Sequence, residues 1–280
     1  QWLELLDARY ADTRRAHVTA VRLARAPLSL AVFWPRALEL GGAVLLEMPL
    51  GVTLGEGGAL VHAAASRGLQ LQVGHIERFN RALRAALPYL EGPRFLESMR
   101  MAPFQPRGTD VAVILDLMIH DLDLVLHLIG GPEATDVRAS GVAVLSQHLD
   151  MANAMVEFAG GAVAMVTASR IARDRIRKLR IFQPTGYLSL DLATGAGEFM
   201  RLRGGWTPGM GTKLEDIVER ITFEAPEADA LQLELQSFVH AVRGGRETVV
   251  TGEEGRAALK LALQVAEAVN RSPMMPQPQA

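Results

Sequence analysis

A line of acidic and histidine residues recurs at helical spacing within one apolar stretch of the chain. Asp116, His120 and Asp123 are four and three residues apart, so an α-helix carries them on one face, and His127 extends that face by a turn. The residues between them are almost all apolar, which predicts a buried helix over residues 111–129. Because unpaired buried carboxylates are costly, this polar line must be satisfied inside the protein or face a cleft.

The residue types allow two interpretations of this polar line. In one, His120 is a general acid or base, Asp116 orients it or a substrate hydroxyl, and Asp123 contacts the substrate. In the other, a structural His–Asp pair ties the helix to a neighbouring strand. A metal site is disfavoured and none is predicted, because the side chains form one line whereas metal ligands must converge.

A second polar segment directly follows a predicted strand at residues 69–73. Ligands of open α/β sheets bind at the carboxyl ends of the strands, so this segment is well placed to bind a substrate. Its candidate substrate-binding residues are His75, Glu77, Arg78 and Asn80. An interdomain hinge held by an ion pair explains the same residues equally well.

Three arginines of the central region are candidates for contact with a substrate diphosphate. Guanidinium groups match the geometry of phosphate oxygens and can bind them through two hydrogen bonds. The candidates are Arg100, Arg107 and Arg170. A solvated charge at the end of a strand is the alternative for each of them.

The first quarter of the chain has the pattern of an α/β fold. The apolar run over residues 43–46 indicates a buried strand, residues 54–67 indicate a helix closed by Gly68, and residues 69–73 indicate a second strand. A strand, a helix and a strand at this spacing form one βαβ unit.

The rest of the chain has the pattern of an α+β domain. Strand-like segments with glycine-rich turns dominate residues 135–203, and helices are predicted over residues 231–242 and 255–269. The sequence therefore predicts a domain with an open, mostly antiparallel sheet covered by helices. We place its boundary near Glu77 and expect a disordered tail over residues 272–280, which are rich in proline and glutamine.

The composition is that of an ordinary cytoplasmic protein. The 280 residues contain no cysteine, which excludes disulfides and thiolate chemistry, and the net charge of −2 favours neither nucleic acid nor an acidic membrane as a partner. No apolar run reaches the roughly 20 residues that span a bilayer, and the amino-terminal residues lack a signal-peptide pattern. No G-x-G-x-x-G, P-loop or G-x-S-x-G motif occurs.

The strings VGHIERFN at residues 73–80 and DLMIHDLDL at residues 116–124 carry a family resemblance. From Val44 onward the sequence resembles the Gfo/Idh/MocA oxidoreductases, in particular the branch that oxidises the 3-hydroxyl of UDP-N-acetylglucosamine. In such enzymes the dinucleotide sits on an amino-terminal Rossmann domain and the substrate on the open sheet of a second domain. The resemblance implies a truncated, dinucleotide-binding Rossmann domain over residues 1–76 and a substrate-binding α+β domain over residues 77–271.

The resemblance also implies roles for individual residues. Asp116 and His120 fall on the active-site Asp and His of the family's long helix. Glu47, Met48 and Pro49 fall on its Glu-Lys-Pro turn, which binds the nicotinamide. The implied reaction is hydride transfer from the carbon of a nucleotide sugar to NAD or NADP, with His120 or its hydrogen-bonded network accepting the hydroxyl proton. Family members usually pair through their open sheet faces, which implies a homo-oligomer.

Two departures from the family pattern predict weak or absent NAD binding and an inactive chain as given. Met48 replaces the usual lysine, and the first half of the Rossmann domain with its glycine-rich turn is missing. The alternative function is therefore a non-catalytic homologue that binds a sugar nucleotide or oligomerises. A dehydrogenase acting on a free polyol or on a UDP-sugar acid is a third interpretation, because fold does not fix substrate.

Overall fold

The computed structural model describes residues 18–20, 42–105, 108–204, 207 and 213–271. By its internal contacts the chain forms two compact units. The first contains Gln1–His75 and Leu231–Arg256, and the second contains Ile76–Ala230 and Ala257–Ala280. Arg107 and the predicted disordered tail at residues 272–280 lie outside the described residues.

The elements of the described ranges follow one another in this order. The strands are β1 (Val18–Ala20), β2 (Ala43–Glu47), β3 (Leu71–Gly74), β4 (Phe95–Met101), β5 (Ala134–Val142), β6 (Met151–Phe158), β7 (Val163–Ser169), β8 (Ile176–Gln183), β9 (Gly186–Asp191), β10 (Ala196–Leu202) and β11 (Val218–Glu224). The helices are α1 (Leu54–Ala65), α2 (Arg81–Ala86), α3 (Ile119–Leu128), α4 (Leu214–Ile217), α5 (Ala230–Gly244) and α6 (Gly252–Arg271). Short 3₁₀ turns occupy Ile76–Phe79 and Leu87–Tyr89, and a π-helical turn, Ile114–Met118, leads into α3.

The first unit is built on a parallel sheet with the strand order β1-β2-β3. Helix α1 connects β2 to β3, so the predicted βαβ unit is present. Thr53 begins α1 with a capping box in which its side chain accepts from the Glu56 N–H and the Glu56 carboxylate accepts from the Thr53 N–H. Gly68, with φ of 62°, turns the chain after the helix and lets Leu69 donate its N–H to the Ala64 carbonyl at 3.0 Å.

Helix α5 belongs to the first unit, whereas the sequence analysis placed it with the second domain. Phe238 of α5 is fully buried and packs with Ala43 and Leu45 of β2. Strand β2 is apolar on both faces, so the face that carries these two residues needs a cover. Burying a phenylalanine side chain contributes about 2–3 kcal/mol, which favours this partner for β2.

The second unit is built on a sheet with the strand order β11-β10-β9-β8-β4-β7-β6-β5. Only the β4–β7 pair is parallel, so the predicted open, mostly antiparallel sheet is confirmed. Burial alternates along the central strands, as in β6, where Ala152, Ala154 and Val156 are buried and their neighbours are half-buried. Helix α3 contacts β4 and β7 and covers the buried face.

The predicted long apolar helix consists of two successive segments with different helical geometry. The π-helical turn Ile114–Met118 comes first, and α3 continues to Leu128, where Gly130 and Gly131 end it with φ angles of 81° and 73°. The widened turn changes which residues face the sheet, an outcome that hydrophobic spacing alone does not reveal. Across the described ranges, no helix combines the length and apolarity needed to cross a lipid bilayer.

Candidate active site

A polar contact between α3 and the sheet is made by Asp121, a residue that the sequence analysis did not single out. Its carboxylate accepts from Ser98 Oγ at 2.8 Å, from Arg100 Nε at 2.6 Å and from Arg100 Nη2 at 3.2 Å. All three side chains are buried. Hydrogen bonds between ionised groups are roughly twice as strong as neutral ones, so this cluster fixes the position of α3 on β4.

Glu77 extends the same buried network to the 3₁₀ turn before α2. Arg100 Nη1 donates to Glu77 Oε1 at 2.8 Å, and Asn80 Nδ2 donates to Glu77 Oε2 at 2.9 Å. Arg177 Nη1 lies 3.5 Å from Glu77 Oε1. Burial alone would raise the pKa of the Glu77 carboxyl, but the charge and hydrogen bond of Arg100 hold it below its ordinary value.

Arg100 is the centre of this network, because both carboxylates bind it. Burial alone would lower the pKa of its guanidinium group, but the charges of Asp121 and Glu77 raise it above the ordinary value. Arg100 therefore stays protonated, and its contacts to these two carboxylates leave it inside the protein.

A second buried ion pair joins the 3₁₀ turn to the opposite flank of α3. Arg78 donates from Nε to Asp123 Oδ2 at 2.6 Å and from Nη2 to Asp123 Oδ1 at 2.8 Å, a two-pronged geometry. Arg78 Nη1 also lies 2.6 Å from His127 Nδ1. Because a guanidinium group only donates, this contact requires an imidazole nitrogen that accepts.

The predicted polar line of the helix is therefore divided between two environments. Asp123 is buried in its pair with Arg78, whereas Asp116 and His120 are half-buried. The tie between helix and strand that was one interpretation of the line exists, but Asp121 and Arg100 make it. Asp116 and His120 are thus half-buried members of the line beside a fixed framework, and His127 is exposed.

Arg170 donates hydrogen bonds to the loop that precedes the π-helical turn. Its Nε donates to Asp150 Oδ1 at 3.0 Å, and its Nη2 donates to the carbonyls of Val111 at 2.6 Å and Leu149 at 2.8 Å. Its Nη1 donates to the Gly108 carbonyl. The guanidinium group is buried, and its role in the structure is to order this loop.

Asp150 is the anchor of the same loop. Its Oδ2 accepts from the backbone N–H groups of Val144 at 2.8 Å, Leu145 at 2.7 Å and Ser146 at 3.0 Å. Burial alone would raise the pKa of the Asp150 carboxyl, but these hydrogen bonds hold it well below its usual range. The residue therefore remains ionised inside the protein.

In the first unit, the carboxyl ends of β2 and β3 bring the predicted cofactor-binding residues close to His75. Glu47 is the register partner of Gly74, and a Cβ atom on Gly74 would lie 3.2 Å from the Glu47 Cα atom. Glu47, Met48 and Pro49 are half-buried, and the Met48–Pro49 peptide is cis. His75 is buried, and its N–H donates to the Val73 carbonyl at 2.8 Å. The carboxyl edge of a parallel sheet is where ligands of such folds bind.

Among the side chains of the described ranges, no group of three His, Asp or Glu residues is placed to hold a metal ion. The acidic side chains of the site bind arginines instead, as the pairs of Asp121 and Asp123 show.

Comparison with known proteins gives consistent matches. The sequence profile of the Gfo/Idh/MocA oxidoreductase family, C-terminal alpha/beta domain, matches residues 103–275. The chain is 38% identical to UDP-N-acetylglucosamine 3-dehydrogenase of Acidithiobacillus ferrooxidans over 238 residues, which cover 83% of this chain and 73% of the relative. It is 25% identical to scyllo-inositol 2-dehydrogenase (NAD(+)) of Bacillus subtilis over 81% of this chain and 68% of the relative.

A solved structure of UDP-N-acetylglucosamine 3-dehydrogenase from Acidithiobacillus ferrooxidans has a similar fold. It superimposes with a TM-score of 0.81 at 36% sequence identity, covering 89% of this chain and 78% of the other.

Proposed function

This chain belongs to the Gfo/Idh/MocA oxidoreductase family, and we propose that it oxidises a hydroxyl group of a nucleotide sugar with NAD or NADP. The family resemblance seen in the sequence is confirmed. The observation that carries the proposal is the 38% identity to a UDP-N-acetylglucosamine 3-dehydrogenase. The 3-hydroxyl of UDP-N-acetylglucosamine is therefore the favoured site of oxidation.

The proposed acid–base group is His120, supported by Asp116. Oxidation of an alcohol releases the hydroxyl proton as the hydride leaves, so a base must stand beside the reacting oxygen. Imidazole suits this role because its ordinary pKa lies near neutral pH. His120 and Asp116 are half-buried, while the next residue, Asp121, is locked to Arg100. A base on a rigid support loses little freedom when the substrate binds.

The carboxyl edge of β2 fits a nicotinamide ring. Met48 and Pro49 are half-buried and apolar, and the close approach of Gly74 to Glu47 leaves this edge clear of a further side chain. A bound nicotinamide supplies the hydride acceptor. Met48 offers an apolar surface but neither a charge nor a hydrogen-bond donor.

Met48 is also the observation that favours a second function. A chain without the lysine of the Glu-Lys-Pro turn has lost a charge and hydrogen-bond donors at the position that binds the nicotinamide in the family, which predicts weaker NAD binding and slower oxidation. If NAD binding and oxidation are lost completely, the chain is a non-catalytic homologue that binds a sugar nucleotide.

Calorimetry and a spectrophotometric assay test the proposed function together. The purified chain is titrated with UDP-N-acetylglucosamine and with NAD, and NADH formation is followed with both present. Binding of both ligands with NADH formation supports the dehydrogenase. Binding of the sugar nucleotide without NADH formation, even after Met48→Lys, supports the non-catalytic homologue. Oxidation of scyllo-inositol in place of the nucleotide sugar would contradict the proposed substrate.

We also propose that two copies pair through the outer face of the large sheet. Met165 of β7 is 37% exposed and Phe182 of β8 is 41% exposed on this face. Met155 of β6 is the register partner of Met165, so their side chains are neighbours. Exposed and half-buried apolar side chains on a broad sheet favour a surface that another protein covers.

A further inference from the structure

Arg177 is the register partner of Arg100 across strands β4 and β8. Side chains of direct register partners lie on the same face of a sheet, so both point to the face that α3 covers. Arg100 is buried between two carboxylates, whereas the Arg177 side chain is 39% exposed. Arg177 was absent from the sequence candidates for diphosphate binding, while Arg100 and Arg170 are both engaged inside the protein.

The carboxylate nearest to Arg177 is already used by other donors. Glu77 Oε1 lies 2.8 Å from Arg100 Nη1 but 3.5 Å from Arg177 Nη1. Glu77 Oε2 accepts from Asn80 Nδ2 at 2.9 Å. Glu77 therefore compensates the charge of Arg177 only in part.

The charges around Arg177 leave an excess of positive charge. Arg100 and Arg175 are the neighbouring cations, and Glu77 and Asp121 are the neighbouring carboxylates. Burial and the charge of Arg100 lower the pKa of the Arg177 guanidinium, and the charge of Glu77 opposes this shift. Arg177 therefore lies beside a second guanidinium group and shares the Glu77 carboxylate with it. A half-buried cationic surface of this kind attracts anions.

We infer that Arg177 and Arg175 form a subsite for the diphosphate of the substrate. Their guanidinium groups suit phosphate oxygens, and Arg177 is partly exposed while Arg175 is exposed. The subsite is linked to the proposed base, because Arg100 joins Glu77 to Asp121 and Asp121 directly follows His120. The identity of the ligand as a nucleotide sugar rests on the proposed function, whereas the preference for a diphosphate rests on the charges.

Isothermal titration with three anionic ligands tests this subsite. The ligands are UDP-N-acetylglucosamine, UDP and inorganic pyrophosphate, each titrated into the full chain. Arg177→Gln and Arg175→Gln are the test variants. Lys178→Gln is the matched control, because Lys178 is an exposed cation adjacent in sequence whose side chain lies on the opposite face of β8.

Arg177→Gln is expected to weaken binding of all three ligands by about tenfold, the effect of losing one charge-assisted hydrogen bond. Arg175→Gln is expected to weaken it less, and Lys178→Gln to leave it unchanged. Arg177→Lys keeps the charge and is expected to recover part of the pyrophosphate affinity. Added salt is expected to weaken binding more in the unmodified chain than in Arg177→Gln. Thermal unfolding of each variant establishes that it is folded.

The outcomes separate this inference from the proposed function. The subsite would be overturned if both arginine variants bind UDP and pyrophosphate as tightly as the unmodified chain does, even if UDP-N-acetylglucosamine is oxidised. Failure of the unmodified chain to bind either anion would also overturn it. Pyrophosphate binding that depends on Arg177, without binding of the nucleotide sugar, would support the subsite and contradict the proposed function. A parallel titration with NAD identifies the source of the diphosphate. If the arginine substitutions weaken the binding of NAD and leave the binding of UDP unchanged, the subsite does not bind the substrate.

Discussion

Asp121 Oδ2 lies 2.6 Å from Arg100 Nε, and this contact is buried between the sheet and helix α3. This buried pair positions α3 on β4, and it lies one residue from His120, which is half-buried. A rigid ionic contact and a half-buried imidazole are thus adjacent in sequence. Substitution of Asp121 is therefore expected to change stability, and substitution of His120 is expected to change the rate of oxidation.

Asp121→Asn is expected to destabilise the protein by about 3 kcal/mol, because it leaves Arg100 buried with one carboxylate fewer. The free energy of unfolding from chemical denaturation measures this loss. Asp136→Asn is the control, since Asp136 pairs with Arg138 at side-chain exposures of 43% and 70%. An exposed pair of this kind contributes less than about 1 kcal/mol. Equal effects of the two substitutions would contradict the structural role of Asp121.

The pH dependence of stability is expected to report Asp150. Its folded-state pKa is depressed, so its contribution is fully present above the unfolded value near 4 and is lost as pH falls toward the folded value. Asp150→Asn is expected to cost about 2–3 kcal/mol at pH 7. The difference between the two proteins is expected to shrink below about pH 5. Denaturation at pH 7, 5 and 3 measures it, and a constant difference would argue against an ionised Asp150.

His120→Gln is expected to reduce the rate of NADH formation by about a hundredfold or more, the range of general base catalysis. Binding of UDP-N-acetylglucosamine is expected to persist, because the substitution removes a proton acceptor. His127→Gln is the control: His127 is on the same helix, but it is exposed and contacts Arg78. A similar loss of rate in both variants would exclude a special role for His120.

Met48→Lys is expected to raise the rate of NADH formation and the affinity for NAD by about tenfold, because a lysine restores a charge and hydrogen-bond donors at the carboxyl edge of β2. Val52→Lys is the control, since Val52 is exposed and lies in the loop that follows. A rate that does not change after Met48→Lys would show that Met48 does not limit oxidation.

Met165→Glu is expected to convert a dimer into a monomer, because a carboxylate buried in an apolar interface is costly. Light scattering after size-exclusion chromatography gives the mass of the particle. Val144→Glu is the control, since Val144 is 57% exposed in the loop that follows β5. A monomeric unmodified protein would contradict pairing through this face.

Local sequence patterns determined several parts of this protein. The apolar spacing of residues 111–129 predicted the long helix, and paired glycines such as Gly130 and Gly131 end it, because these positions have positive φ. The strand-like segments and glycine-rich turns of residues 135–203 predicted an open, mostly antiparallel sheet covered by helices. The family strings near Asn80 and His120 predicted the family. Each of these signals depends on residues close together in the chain.

Only the tertiary structure decided which polar residues are buried and which remain accessible. Asp121 pairs with Arg100, 21 residues away in sequence, and Asp123 pairs with Arg78, 45 residues away. Arg177 became a candidate because strand pairing places it beside Arg100. Neither spacing nor composition specifies such partners, because they depend on which strands pair and on how a helix is rotated over them. The ionic contacts follow from that packing, and His120 and Arg177 are half-buried beside them.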